Sequence, residues 1–255
     1  MAKTAEVIDV CKLCEKTREL RRSHVIPEFC YVGYDHLHRL IELHRHRPRL
    51  RFIQKGFREP LLCHACEQLL NDRYEKPMKA AWFDNPKLPP LVSSGELLIT
   101  GLDYAAFKLF HVSVLWRATV AVDGEYGPIR LPPRDAANMR RMVFEGDPGL
   151  STQYPVLGLA LLLPPDGAPA FGLIQSTSYE VIERQSVYRT VYGACVWQIW
   201  VGSRSPRPEL ALYALTEAGS LLLPAVDMRE FGPIGSVWES YRRHATVNKG
   251  PALSS

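Results

Sequence analysis

The sequence lacks an apolar run long enough to cross a membrane, because a spanning helix needs about 20 consecutive apolar residues. The longest strongly apolar run extends only from Val156 to Leu163 and is closed by Pro164 and Pro165. The chain also lacks a large net charge, with 31 Lys and Arg against 27 Asp and Glu, while 46% of its 255 residues are hydrophobic. These values exclude extensive disorder and predict one large or two small folded domains.

The first ten residues lack the apolar core of a secretory signal, since they include Lys3, Glu6 and Asp9. We therefore expect a cytoplasmic, reducing compartment, in which cysteines act as ligands or core residues before they form disulfides. Cysteines are few, but five of the six lie in the first 66 residues, together with six of the eight histidines. Residues 1–90 also carry 17 Lys and Arg against 12 Asp and Glu. We therefore expect the functional residues in this N-terminal part of the chain.

A proline-containing stretch at 85–94 marks the predicted boundary between two domains, residues 1–88 and residues 89–255. In the second domain the apolar spacing predicts helices over 102–122, 133–144 and 236–244. Runs rich in β-branched and aromatic residues predict antiparallel strands over 154–163, 170–182, 189–202 and 209–215. The predicted fold class is therefore α+β, with C-terminal helices packed on an antiparallel sheet. The pattern leaves the role of this domain open between sensing a ligand, docking a partner and oligomerisation.

Two Cys-x2-Cys pairs are the most specific motif, with Cys11 and Cys14 separated by 48 residues from Cys63 and Cys66. Two thiolates two residues apart can bind one Zn²⁺ from a tight turn, and two such pairs complete a tetrahedral Cys₄ site. A redox motif would need only one pair, at the start of a helix. We therefore expect structural zinc, and we expect Cys30 and Cys195 to be buried core residues.

The residues after Cys66 predict a helix on which Glu67, Asn71 and Glu75 share one face, because they are four residues apart. Two carboxylates and an amide can hold a hard cation such as Mg²⁺. The alternative is that these groups form a solvated helix face. Between the two cysteine pairs stands the sequence Ser23-His24-Val25-Ile26-Pro27.

The combination of the first pair, this His-containing motif and a second pair followed by Glu67 resembles the HNH, or ββα-metal, endonucleases. The resemblance covers residues 11 to about 80. It implies a structural zinc that braces a β-hairpin against a helix, and a divalent Mg²⁺ or Mn²⁺ that serves catalysis. It makes His24 the general base, Ser23 the preceding ligand, and Glu67 and Asn71 the ligands on the helix. The resemblance also implies cleavage of DNA, in bacterial antiviral defence.

Two positions depart from the usual motif, since Ser23 replaces an acid and Glu67 replaces a histidine. Glu67 and Glu75 could hold the cation without Ser23, but the site could also be dead. The competing interpretation is a catalytically inactive zinc-binding module that binds nucleic acid or a protein partner. A structural reading of His24, as a buried histidine bonded to the backbone, also stays open.

A basic segment between the motifs predicts phosphate contacts that do not read sequence, through Arg45, Arg47, Arg49, Arg51 and Lys55. The alternative is a solvated surface loop. Apolar residues at Leu50, Phe52 and Ile53 suggest that this segment includes the second hairpin strand. An activating protein or small-molecule ligand could act through the C-terminal domain, where Trp116, Arg117, Trp197 and Trp200 are expected in the core.

Overall fold

The computed structural model describes residues 7–31, 40–43, 50–53, 56–85, 95–122, 129–163, 167–182, 184–202 and 208–230, with the backbone alone at 40–43 and 50–53. Among these residues, no helix is both long enough and apolar enough to span a bilayer. The strands are β1 (Val7–Val10), β2 (Thr17–His24), β3 (Leu40–Leu43), β4 (Leu50–Ile53), β5 (Arg58–Cys63), β6 (Gly95–Ile99), β7 (Val156–Leu163), β8 (Ala168–Pro169), β9 (Leu173–Ile182), β10 (Gln185–Tyr192), β11 (Cys195–Val201) and β12 (Leu221–Asp227). The helices are α1 (His64–Leu70), α2 (Lys76–Met78), α3 (Tyr104–Val120), α4 (Pro133–Glu145) and α5 (Pro208–Ala211), with a 3₁₀ turn at Glu28–Cys30.

A small antiparallel sheet in the order β1-β2-β5 leads directly into a helix. We call that helix the site helix (residues 64–83). It consists of α1, a π-helical turn at Asn71–Glu75, α2 and a second π-helical turn at Lys79–Phe83. Pro77 lies between the two π-helical turns and lacks the amide hydrogen that an α-helical ladder needs. The arrangement is thus two paired strands followed by a helix, with residues 25–57 inserted between the strands.

One face of the site helix is apolar and packs into the core of the protein. Leu70, Tyr74, Met78 and Trp82 recur every four residues and are each at most 2% exposed. The Tyr74 hydroxyl donates to the carbonyl of Val143 at 2.7 Å, and the Trp82 indole donates to a carbonyl in the second half of the chain. The polar positions Glu67, Asn71 and Glu75 are left for a different face.

The second sheet runs β4-β3-β9-β10-β11-β7-β12-β6, with β8 beside β7. Most pairs are antiparallel as predicted, but β3 lies parallel to β9 and β12 lies parallel to β7. The segment Leu50–Ile53 pairs with β3 in this large sheet. The prediction that it forms the second hairpin strand is therefore wrong, because β5 takes the place beside β2.

The first two helices after the predicted boundary, α3 and α4, were predicted close to their bounds. The longer one, α3, is buried on every side from Ala106 to Ala118, and α4 ends at Gly146 in the left-handed conformation typical of a helix C-terminus. Cys30, Cys195, Trp116, Trp197 and Trp200 are all buried, as expected. The predicted helix over 236–244 lies outside the described residues.

Two strand predictions in the second half of the chain were wrong. Residues 189–202 form not one strand but the end of β10, a turn and β11, since Gly193 and Ala194 have φ values of 60° and 61°. Two successive left-handed residues form the tight turn that joins antiparallel strands. Residues 209–215 include the helix α5 rather than a strand, and Pro208 occupies its favoured first position. Strand β12 was not predicted, because Pro224 interrupts its apolar pattern.

One hydrophobic core contains residues from both sides of the predicted boundary near residue 88. Trp82 of the site helix packs edge-on against Trp197 of β11, with ring centroids 5.0 Å apart, and also contacts Phe107 of α3. The cysteines of the two pairs belong to the same cluster of buried residues. The polar face of the site helix is therefore held in position by packing against α3.

Candidate metal-binding and active site

The four paired cysteines meet in one cluster that is positioned to hold a metal ion. The Sγ atoms of Cys11, Cys14, Cys63 and Cys66 all lie within 4.8 Å of one another. Tetrahedral zinc with bonds of about 2.3 Å needs sulfur atoms about 3.8 Å apart, and Cys14 and Cys63 have theirs at 3.9 Å. None of the six cysteines, all of which are described, forms a disulfide. The donor set fits zinc.

Backbone contacts bring the two cysteine pairs together. Lys12 in the first turn donates its amide to the carbonyl of Leu61 on β5 at 3.0 Å. The amide of Cys63 points at the Cys11 sulfur at 3.3 Å. Burial raises the pKa of the Cys11 thiol, but hydrogen bonds from the backbone of Cys14 and Cys63 outweigh it, so the pKa is lowered overall. At Cys11 these contacts favour the thiolate, which is the form that binds a metal, whereas burial raises the pKa of the Cys14 and Cys66 thiols.

A polar pocket of about 420 Å³ lies beside the site helix. It brings together four predicted site residues, His24 from the end of β2 and the helix residues Glu67, Asn71 and Glu75. Its other lining residues are Pro27, Glu28, Phe29, Gln68, Lys79 and Arg117. The prediction that Glu67, Asn71 and Glu75 share a helix face therefore agrees with the structure.

The His24 ring is held by an arginine from the facing strand. His24 and Arg58 are register partners in β2 and β5, and the Arg58 Nε–H donates to His24 Nε2 at 2.6 Å. Burial, the Arg58 charge and the Arg117 charge together lower the pKa of His24 to about 4, against an opposing contribution from Glu28. His24 is consequently neutral at pH 7, but it is a weak base in this state.

Glu67 is the carboxylate that most clearly needs a ligand. Its Oε1 is buried and has no hydrogen-bond partner among the described residues. Burial raises the pKa of Glu67, although the Ser23 hydroxyl and Arg117 lower it. A buried oxygen without a partner is costly, and a divalent cation would satisfy it. The predicted ligand Glu67 therefore fits a cation.

Ser23 lies next to Glu67 but is only 1% exposed. Its hydroxyl accepts from the amide of Leu62 at 3.2 Å and donates to the carbonyl of Arg21 at 3.3 Å. The hydroxyl therefore connects β2 to β5 and supports Glu67. This is a different role from the metal ligand that the resemblance implies for this position.

Arg117 on α3 is a pocket residue whose role the sequence did not reveal. Its side chain is 2% exposed, and its Nη1 donates both to Glu75 Oε1 at 2.9 Å and to the backbone carbonyl of His24 at 3.0 Å. One guanidinium from α3, beyond the predicted domain boundary, thus connects the two segments that supply the site. A signal did exist, because a lone arginine in an apolar helical run needs a buried partner.

The basic residues predicted to bind DNA are not tested by this geometry. Arg45, Arg47, Arg49 and Lys55 lie outside the described residues, and only the backbone of Arg51 is described, within β4. Lys79 and Arg117 are the basic side chains among the pocket's lining residues, which also include three glutamates.

No protein-family model matches this chain, and neither curated proteins nor solved structures include a match.

Proposed function

We propose that this protein is a metal-dependent endonuclease that hydrolyses DNA phosphodiester bonds. His24 acts as the general base, Glu67 with Asn71 and Glu75 holds Mg²⁺ or Mn²⁺, and the four cysteines hold a structural zinc. The observation that carries the proposal is the pocket shared by His24 and the three predicted helix residues, in which a buried Glu67 oxygen has no hydrogen-bond partner among the described residues. Such a pocket combines a proton acceptor with oxygen ligands for a hard cation.

Each residue has a separate task in this proposal. The cation, when bound, would neutralise charge that develops on the scissile phosphate and the leaving oxygen. His24 accepts a proton from water, for which its neutral imidazole is the required form. Arg117 holds the Glu75 carboxylate and the backbone carbonyl of His24 in fixed relation. The Ser23 hydroxyl lowers the pKa of Glu67 and so favours its ionised form.

The test is a plasmid-nicking assay with and without Mn²⁺, on protein whose zinc content has been measured. We expect His24→Ala to lower the rate by about 10²–10⁴-fold, the usual contribution of a general base. The matched control is His64→Ala, since His64 is an exposed histidine at the start of the site helix. It should cut like wild type.

A second pair of variants tests the cation ligands. Glu67→Gln should raise the Mn²⁺ concentration needed for half-maximal cutting, whereas Asp72→Asn, an exposed carboxylate on the same helix, should not. Cutting that persists in His24→Ala or needs no added metal would overturn the proposal.

One observation favours a second candidate, a catalytically inactive zinc-binding module that binds nucleic acid or a protein partner. Three groups of the site already have protein partners: Arg58 donates to His24 Nε2, Arg117 donates to the Glu75 carboxylate, and the Ser23 hydroxyl accepts from a backbone amide. This candidate predicts salt-dependent binding of DNA and no cutting with Mg²⁺, Mn²⁺, Co²⁺ or Ni²⁺. The same assay, combined with a binding titration, separates the two.

A further inference from the structure

The contact between Arg58 and His24 determines where the proton of the imidazole lies. An arginine side chain has only hydrogen-bond donors, so the His24 Nε2 that receives the Arg58 Nε–H at 2.6 Å must be an acceptor. A neutral imidazole has one acceptor nitrogen and one N–H. The ring proton of His24 is therefore on Nδ1, and the lone pair of Nε2 is occupied.

This contact has two opposite consequences for a base. It selects the tautomer in which Nε2 is the basic nitrogen, and it simultaneously blocks that nitrogen. His24 can accept a proton from water only after Arg58 has moved away. The mobility is available, because the Arg58 side chain is one-third exposed, and its ion pair with Glu28 at 3.2 Å, the further side-chain contact among the described residues, is on the protein surface.

A phosphodiester is the ligand best suited to move Arg58. Guanidinium groups bind phosphate oxygens through two parallel N–H donors, and such charge-assisted bonds are about twice as strong as neutral ones. The imidazole offers Arg58 a single neutral acceptor. Because β2 and β5 hold the two residues side by side, a phosphate close enough to His24 for hydrolysis is also within the neighbourhood of Arg58.

We infer that Arg58 is a positioning residue that fixes His24 in the Nδ1–H tautomer and releases Nε2 when it exchanges the imidazole for a phosphate oxygen of the bound strand. The inference rests on the proposed function for the identity of the ligand. It explains why the free protein has a blocked base beside a pocket of suitable composition. The substrate itself would unmask the base that activates the attacking water, so that water in the empty pocket is not activated.

Histidine-selective ¹³C and ¹⁵N NMR tests the tautomer without requiring any cleavage. The spectrum distinguishes N–H from acceptor nitrogens, and the variant His24→Gln identifies the signals of His24 by their loss. We expect His24 of the wild type to have the Nδ1–H form at pH 7. Arg58→Met should remove the hydrogen bond at Nε2 and let the Nε2–H form appear.

The matched control is Arg21→Met, which removes an exposed arginine of β2 that pairs with Glu19. It should leave the His24 signals unchanged. A His24 that has its proton on Nε2 in the wild type, or that does not respond to Arg58→Met, overturns the inference.

The exchange is tested by adding a 12-base-pair DNA duplex without divalent metal, so that binding occurs and hydrolysis does not. At saturation, followed by fluorescence anisotropy, the wild-type Nε2 signal should move in the same direction as in Arg58→Met. In Arg58→Met the further change should be several-fold smaller. Saturated binding without this movement overturns the exchange, and so does the absence of any binding.

The outcomes of this experiment are distinguishable from those of the nicking assay. If DNA moves the Nε2 signal but the protein cuts with none of the metals, the nuclease proposal fails and the inference stands. If the protein cuts and the signal does not move, the inference alone fails.

Discussion

The cysteine cluster and the polar pocket lie in the same third of the chain, yet they are built in different ways. All four groups of the cluster come from two short motifs, and their sulfur atoms face one another within 4.8 Å. The pocket instead takes His24 from a strand, five polar residues from the site helix, and Arg117 from a helix about 40 residues further along the chain. The cluster offers four sulfur ligands, enough to complete the coordination of one metal ion, whereas the pocket contains a Glu67 oxygen with no hydrogen-bond partner in the described part of the chain.

This difference indicates separate roles for the two sites. A structural metal site has its coordination completed by protein, whereas a catalytic site keeps positions open for substrate or water. The cluster fits the first description. The pocket, with a buried carboxylate oxygen that has no partner in the described part of the chain, fits the second.

The largest effect is expected from breaking the cluster. Cys63→Ser should lose zinc, and the melting temperature should fall by ~10 °C or more, since each kcal/mol is worth about 2–4 °C for a chain of this size. Structural zinc contributes about 10–16 kcal/mol in small zinc domains, and here β2, β5 and the site helix meet at the cluster. Calorimetry combined with metal analysis measures both quantities.

The control for this variant is Cys195→Ala, because Cys195 is buried but lies outside the cluster. It should keep about one zinc per chain and lose much less stability, through a small cavity alone. If Cys63→Ser retained the metal and the melting temperature, the cluster would not be a metal site.

Sequence reasoning predicted the cluster completely because a Cys-x2-Cys turn is a local feature, and two copies specify one site. It also placed Glu67, Asn71 and Glu75 correctly, since a helical repeat of four residues fixes which side chains share a face. It could not predict that Arg58 would face His24. That contact depends on the strand register between β2 and β5, which are separated by 33 residues of intervening chain.

The pocket residue Arg117 was missed for a related reason. Periodicity predicted that α3 is a buried helix, but not which neighbour each of its faces meets. Arg117 contacts the site because the site helix packs on α3 through Trp82 and Phe107, a tertiary arrangement with no local signal. In the large sheet, similarly, the parallel placement of β12 beside β7 follows from chain topology rather than from composition.

A smaller but still substantial effect should separate the pocket from the cluster. Arg117→Met should lower the free energy of unfolding by about 3 kcal/mol, because it leaves a partly buried Glu75 carboxylate without its cation. Zinc content should be unchanged, and the double variant with Glu75→Gln should recover part of the loss. Urea denaturation measures these values.

Arg141→Met is the matched control for this prediction. Arg141 pairs with Glu145 on the surface of α4, where both side chains are about half exposed, and such pairs are worth less than about 1 kcal/mol. If the two variants lost the same free energy of unfolding, the buried ion pair of Arg117 with Glu75 would contribute no more to stability than a surface pair.

The smallest effect has the opposite sign and concerns Glu67. Burial raises the pKa of this carboxyl above its ordinary value of 4.5, so the folded chain binds the proton more tightly than the unfolded chain. With zinc bound and no Mg²⁺ or Mn²⁺ added, the contribution of Glu67 to stability should therefore fall as the pH rises from about 4.5 through the raised pKa, and then stay constant. Glu67→Gln should remove this dependence and gain ~1 kcal/mol at pH 7, the scale of an unsatisfied buried group.

Metal and a control variant sharpen this last prediction. At the same concentration, added Mn²⁺ should stabilise the wild type more than Glu67→Gln, because the variant lacks one of the carboxylates that would hold the cation. Asp72→Asn should lose rather than gain stability at pH 7. Hydrogen bonding to Lys76 lowers the pKa of Asp72, so the ionised form of Asp72 is the one that the folded chain favours. If metal-free Glu67→Gln were less stable than wild type at pH 7, the Glu67 carboxylate would already be satisfied by the protein. The pocket would then be as closed as the cysteine cluster, and the case for a catalytic cation would be lost.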